Sequence, residues 1–414
     1  MKILLKAATI LDSESPFHRQ KRTILIENGI IRSISEAKVV KDTDAVLENV
    51  FVSQGWTDSS VSFGEPGYEE RESLSGGMKT ASKSGFTHVM VNPLTFPVAD
   101  TKSAISYIKE RTKGFACTAH PIGALTQGSK GEALAELYDM QSGGAVAFGD
   151  YKKPVDNANL LKIALQYTQP IGAVVISFAH DVRIAGKGVA HEHIVSTRLG
   201  LKGIPTLAEE LIVARDLAVL EYAGGRLHIP TVSTKRSIEM IRDAKAKGLD
   251  VTCSVALHNI HFTDAVLEGF DTRYKVLPPL RDTEHVKALR NALIDGTVDF
   301  VTSDHNPLDI ELKLKEFDHA AYGTIGLENV FGILSQYVST ERTVELLTAA
   351  RKRFGITSRP IDEQKEADLT IFTPEGDYLF GKEHIMSSSK NAIFLGEKHK
   401  GKVLGCIANK LTTI

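Results

Sequence analysis

Cysteine is scarce in this chain: Cys117, Cys253 and Cys406 stand far apart, and no two of them share a C-x-x-C spacing. An odd, sparse count excludes a disulfide framework and a thiolate zinc site, and fits a reducing compartment. A charge excess of either sign is also missing. With 49 basic and 51 acidic residues the formal net charge is −2, which leaves no electrostatic footprint for nucleic acid or an anionic membrane. Long hydrophobic runs are absent as well. The apolar start Met1-Lys2-Ile3-Leu4-Leu5-Lys6 runs into Asp12 and Glu14, so it reads as a first strand and not as a signal peptide or a membrane span. Neither repeats of solenoid period nor low-complexity tracts occur. These absences together make the cytoplasm the expected compartment.

What is present is a chain of 414 residues, 42% hydrophobic and 24% charged, long enough for one large domain and a smaller one. Its middle alternates short apolar runs with amphipathic stretches, the pattern of βα units around a parallel sheet. The predicted strands are Val50–Val52 running on toward Val61, then Phe86–Val91, Phe115–Pro121, Ala145–Phe148, Ala173–Phe178, Leu227–Val232, Val251–Val255 and Phe300–Thr302. Eight parallel strands close a TIM-type barrel, so the expected class is α/β with a (β/α)8 barrel over residues 51–365. Between strands, Thr206 and Glu209 have capping-box spacing, and Gly224-Gly225 ends that helix. Ser233 or Thr234 can cap the next helix, whose apolar positions Ile238, Ile241 and Ala244 precede a stop at Gly248.

The flanks differ. Ile3–Ala7, Thr23–Glu27, an Asn28-Gly29 hairpin turn and Ile30–Ile34 are strand-like, as are Asp368–Phe372, Ala392–Leu395 and Lys402–Ala408 near the other end. The reading is a small composite β-domain from both termini, residues 1–50 with 366–414.

Functional groups of a βα barrel lie at the carboxyl ends of its strands. Those ends read Asp58-Ser59-Ser60-Val61-Ser62, Gly149-Asp150, Ala179-His180-Asp181, Pro230-Thr231, Leu257-His258 and Ser303-Asp304-His305.

Gly55-Trp56-Thr57-Asp58-Ser59-Ser60-Val61-Ser62-Phe63-Gly64-Glu65-Pro66-Gly67 is similar to the dihydroorotase signature GFxDLHVHLREPG. Val232-Ser233-Thr234-Lys235 resembles the end of that family's HVST block, Pro278-Pro279-Leu280-Arg281 its NPPLR block, and Ser303-Asp304-His305-Asn306-Pro307 its TDHAP block. Tyr322-Gly323-Thr324-Ile325-Gly326-Leu327-Glu328, Ser389-Lys390-Asn391 and Lys400-Gly401-Lys402-Val403 continue the likeness in order to the C-terminus.

The resemblance implies an amidohydrolase that opens or closes the dihydroorotate ring with a metal-activated hydroxide. Such a centre needs three or more protein ligands and an open position. The family's strand-one HxH falls on Ser60 and Ser62, and its strand-six histidine on Thr231; hydroxyls are poor zinc ligands. His180 matches the fifth-strand metal histidine, Asp304 the catalytic aspartate, and Asp150 lies in the block of the acidic ligand, where Tyr151 replaces a second acid. Asp150, His180 and Asp304 are therefore the remnant metal set, with Asp304 catalytic only in an active enzyme. The signature arginine is Gly64, the NPPLR asparagine is Leu277, and the second histidine of the TDHAPH block is Leu308. Asn92 lies in a loop that has lost the family's carboxylate-binding asparagine.

The favoured expectation is a dihydroorotase-like protein of pyrimidine biosynthesis without catalysis or cofactor. The resemblance implies a homo-oligomer that serves aspartate carbamoyltransferase as a structural partner. The alternative is an active amidohydrolase with a reduced zinc site. Without partner histidines, His180 and Asp304 are read as polar residues satisfied at strand ends. His191-Glu192-His193 and the His258/His261 pair have metal-like spacing but lie outside the signature, and neither is assigned as a site. A Ser60 nucleophile served by His180 lacks any GxSxG context. Arg281 is read as a structural ion-pair former.

Overall fold

The computed structural model describes residues 1–36 and 43–414, and its centre is a ring of eight parallel strands. These are β1 (Trp56–Val61), β2 (Phe86–Val91), β3 (Thr118–Gly123), β4 (Ala147–Gly149), β5 (Val174–Ile176), β6 (Leu227–Ile229), β7 (Val251–Ala256) and β8 (Phe300–Thr302). They pair in sequence order, with helices between them. Side chains such as Met90, Ile122, Ala147, Val174 and Phe300 fill one part of the interior, as a barrel core requires. Closure between β8 and β1 rests on few contacts. Val61 and His305 form a single parallel bridge, and Ser62 N donates to His305 O at 2.7 Å. Asp58 adds a side-chain clasp: its carboxylate accepts from Thr302 Oγ1 at 2.5 Å and Ser303 N at 2.9 Å.

Two expectations about strands are corrected. The apolar run near residue 50 is not one strand. Phe51–Gln54 pairs with Leu369–Phe372 in a different sheet, and the barrel strand begins at Trp56. Gly55 separates the two; a Cβ there would lie 2.0 Å from Thr87 Oγ1, so only glycine lets the chain pass from one sheet to the other. Ala392–Leu395 is a turn with one isolated bridge, Ile325 to Ala392. Ala392, Ile393 and Phe394 are buried all the same, with the Phe394 ring 5.4 Å from that of Phe262.

The second sheet takes strands from both ends of the chain, Lys2–Ile10, Lys21–Glu27, Ile30–Ser35, Ala45–Glu48 and Phe51–Gln54 with Leu369–Leu379, Lys398–Ala408 and Leu411–Thr412. Asn28 and Gly29 have φ of 52° and 75°, the left-handed pair that a tight hairpin needs. Its core is a separate apolar cluster that includes Ile3, Leu5, Ile24, Val52, Ile371 and Ile407. Trp56 joins barrel and sheet, stacking on Phe331 at 5.1 Å and leaning on Phe372 at 5.4 Å. No helix among the described residues is long and apolar enough to cross a membrane.

The capping-box expectation at Thr206 is also corrected. The Thr206 side chain makes no cap hydrogen bond to the helix Leu207–Ala223. Glu209 instead turns its carboxylate onto the next helix, Lys235–Ala246, accepting from Ser233 N and Thr234 N, both at 3.0 Å. Thr234 is that helix's own cap, its side chain accepting from Ser237 N at 3.2 Å.

Candidate functional site

At the carboxyl ends of β1, β2, β4 and β8 one polar network fills the barrel mouth. Asn92 Nδ2 donates to Ser60 Oγ at 3.1 Å and to Ser62 Oγ at 3.2 Å, tying the two hydroxyls to each other. Ser60 Oγ reaches toward Asp304 Oδ1 at 3.5 Å. The remaining donors to Asp304 come from the turn after β4: Tyr151 OH lies 3.0 Å from Oδ1, and Lys152 Nζ lies 2.7 Å from Oδ2. The Asp304 side chain is 1% exposed and that of Lys152 12%. A carboxylate this deep needs a cation or several donors, and it has both.

Three residues of the mouth have left-handed backbone: Lys152 at φ 53°, Thr231 at 49° and Asp304 at 49°. Non-glycine residues are uncommon there, and a β-branched one such as Thr231 is strained.

Asp150 points elsewhere. Its carboxylate accepts from Leu125 N at 2.9 Å, Thr126 N at 3.2 Å and Thr126 Oγ1 at 2.5 Å, so it buttresses the chain after β3. Burial raises its pKa above the usual carboxylate range, against those donors. Thr231 keeps its buried Oγ1 without a protein partner, as does Ser59. Ser59, Ser60, Asp150, Lys152 and Thr231 share one cavity of about 30 Å³. That is room for one or two waters, whereas small-molecule pockets run to roughly 300 Å³ or more. His180 is half-buried after β5, stacked obliquely on Phe178 at 5.9 Å. Burial and then the nearby Arg281 lower its pKa, so near neutral pH it is an uncharged imidazole.

A zinc-type ion needs convergent nitrogen, sulfur or anionic oxygen ligands with free lone pairs. The residues present do not fit one. Asp304 is held by an ammonium and a phenol, Asp150 by the turn it supports, and Ser60, Ser62 and Thr231 offer neutral hydroxyls. The groups for a substrate carboxylate are replaced too. A Cβ on Gly64 would lie 1.8 Å from Tyr68 O, so that backbone holds no side chain in place of the signature arginine. Leu277 packs against a small apolar cluster, and Leu308 is buried.

Outside the mouth, His191, Asp282 and His285 bring three ligand atoms within 4.8 Å of one another. Their protons argue against a cation. Arg281 Nη1 donates to His191 Nδ1 at 3.2 Å, and Lys235 N donates to His285 Nδ1 at 3.0 Å. With Nδ1 accepting, each neutral ring carries its proton on Nε2, and both Nε2–H groups face Asp282 Oδ2, at 3.3 and 4.0 Å. His193 turns away to Asp264 at 2.9 Å. His258 and His261 do not converge either: His261 binds Glu397 at 3.0 Å and Tyr337 at 2.7 Å, while His258 is wholly buried with neither ring nitrogen bonded. Arg281 is buried, 3.7 Å from Glu209 Oε2, and donates to Ser233 Oγ at 3.0 Å and Ile204 O at 3.1 Å.

The structure therefore brings together Ser60, Ser62 and Asp304, sets Thr231 and Asp150 on the adjoining cavity, and leaves His180 apart on the Arg281 side. Sequence reasoning missed Lys152 and the use of Asn92 and Tyr151. The available signal was a basic residue two positions after the β4 carboxylate, in a turn whose left-handed backbone favours glycine.

Residues 50–237 match the dihydro-orotase-like family. A protein of Pelotomaculum thermopropionicum named dihydroorotase is 39% identical over 408 residues, covering 97% of this chain and 96% of its own length. A dihydroorotase of Geobacter metallireducens is 37% identical, with the same coverage. Among solved structures, an L-hydantoinase (dihydropyrimidinase) from Arthrobacter aurescens superposes with a TM-score of 0.83 at 22% identity, covering 99% of this chain and 97% of that one. A D-hydantoinase gives 0.84 at 19% identity, covering 100% and 95%. The structural likenesses speak for the barrel fold alone.

Proposed function

Since the chain belongs to the dihydroorotase family, we propose that it is a catalytically silent member acting in cytoplasmic pyrimidine biosynthesis. Its role in this reading is structural: a homo-oligomer that assembles with aspartate carbamoyltransferase. One observation carries the silence. Ser60 and Ser62 stand where the family signature has two imidazoles, and Asn92 holds both hydroxyls in a neutral hydrogen-bonded set. Serine hydroxyls cannot lower the pKa of a bound water as a three-ligand zinc centre does. The small cavity and the replaced Gly64 position point the same way.

The test is turnover by the full-length protein supplied with zinc, in both ring opening of dihydroorotate and ring closure of N-carbamoyl-aspartate. No rate above buffer is expected. Turnover on the order of 1 s⁻¹, the low end for enzymes, would overturn the reading. Size-exclusion of a mixture with aspartate carbamoyltransferase tests the partnership by itself: co-elution supports it and separate peaks reject it.

A second reading, a working cyclic amide hydrolase with a reduced metal site, is favoured by the relatives. Full-length matches at 39% and 37% identity carry the name dihydroorotase. Its best ligand set is Asp150, His180 and Asp304. It requires Lys152 and Tyr151 to release Asp304, and Thr126 to release Asp150. The turnover assay separates the two readings.

A further inference from the structure

We propose that the ε-ammonium of Lys152 is the resident cation of this barrel, a covalently attached replacement for a divalent ion that holds Asp304 in place and keeps such an ion out. The inference takes its setting from the non-catalytic reading but stands on its own geometry. The Asp304 carboxylate is 1% exposed, and its full charge is compensated locally by Lys152 Nζ at 2.7 Å, with Tyr151 OH at 3.0 Å on the other oxygen. Lys152 is itself nearly enclosed, and its ammonium lies 5.2 Å from the centre of the Tyr151 ring, a second favourable contact.

Lys152 has φ of 53°, where any side chain is disfavoured and glycine is not. Here the side chain turns inward and supplies the one charge the buried carboxylate lacks. An ion approaching Asp304 would meet a fixed positive charge on one oxygen and a phenol on the other. Ser60 and, beyond it, Asn92 continue the hydrogen-bonded set around that carboxylate, and both are neutral. Lys152 is therefore a positioning residue that makes the barrel independent of metal.

The experiment is a thermal double-mutant cycle on the full chain with K152M, D304N and the double variant, each with EDTA and with added zinc. The wild-type melting midpoint is expected to be the same under both conditions. Each single variant should lose about 5 °C, as breaking one side of a buried pair does, and the double variant should recover at least half of that loss. If K152M does not fold, K152R should fold with a midpoint near wild type, because it keeps the charge. Additive losses, a single variant at the wild-type midpoint, or a wild-type midpoint that falls in EDTA would each overturn the inference. Failure here is distinct from failure of the functional reading, which only turnover decides.

Discussion

Thr231 closes β6 with left-handed backbone and a buried hydroxyl that no protein group meets. That backbone is unfavourable: a β-branched side chain at positive φ costs about 1 kcal/mol or more. Thr231→Gly is therefore expected to stabilise the protein by about 1 kcal/mol, read as a higher urea midpoint with an unchanged slope. A loss of stability would show that the methyl packing outweighs the strain.

The helix Lys235–Ala246 shows how one element depends on another. Its first turn is satisfied by its own Thr234 and by Glu209, which reaches across from the preceding helix. Thr234→Ala removes one acceptor from an N-terminus and is expected to cost about 1 kcal/mol. Glu209→Ala does more. It strips Ser233 and Thr234 of their acceptor and leaves Arg281, 1% exposed, without its carboxylate. The expected loss is about 3–5 kcal/mol, measured by chemical denaturation. A loss near 1 kcal/mol would mean that Ile204 O, Ser233 Oγ and His191 Nδ1 satisfy the guanidinium without it.

For the molecule as a whole, several imidazoles are sealed in neutral form. Burial, aided by His88, Lys109 and Arg351, holds His120 down at about 3. Burial likewise takes His191 and His399 to about 4, and keeps His228 and His258 well below the usual value. Once unfolded, these rings take up protons near pH 6.5. Between about pH 6.5 and pH 4 the unfolded chain thus binds more protons than the folded one, so stability falls as the solution is acidified. Asp368, held well below the carboxylate range by His88 and Arg351 against its burial, extends the loss to lower pH. Asp58, Asp150 and Asp216, raised by burial, act in the opposite sense from about pH 4 upward. A series of urea midpoints from pH 7.5 to pH 5 should decline steadily. A flat series would mean that the buried histidines are protonated or solvated in the native state. His120, His88, Asp368 and Arg351 also join the foot of the barrel to the terminal sheet through contacts of 2.9, 3.1 and 3.0 Å. Acid should therefore loosen that junction early.

What the sequence alone determined follows from local pattern. Apolar runs alternating with helical periodicity specify a βα ring, and Asn28-Gly29 specifies a hairpin, because side-chain period and backbone sterics act over a few residues. Hydroxyls at Ser60, Ser62 and Thr231 were equally legible, since a ligand's chemistry is read from its side chain. Tertiary structure decided where one sheet gives way to the other at Gly55, because apolar and polar residues are mixed on both sides of that glycine. It decided that Glu209 serves the following helix and not its own. It also decided that Lys152, unremarked among 49 basic residues, faces inward onto Asp304. Which charge meets which depends on the closing of the barrel, and that brings together positions some 150 residues apart.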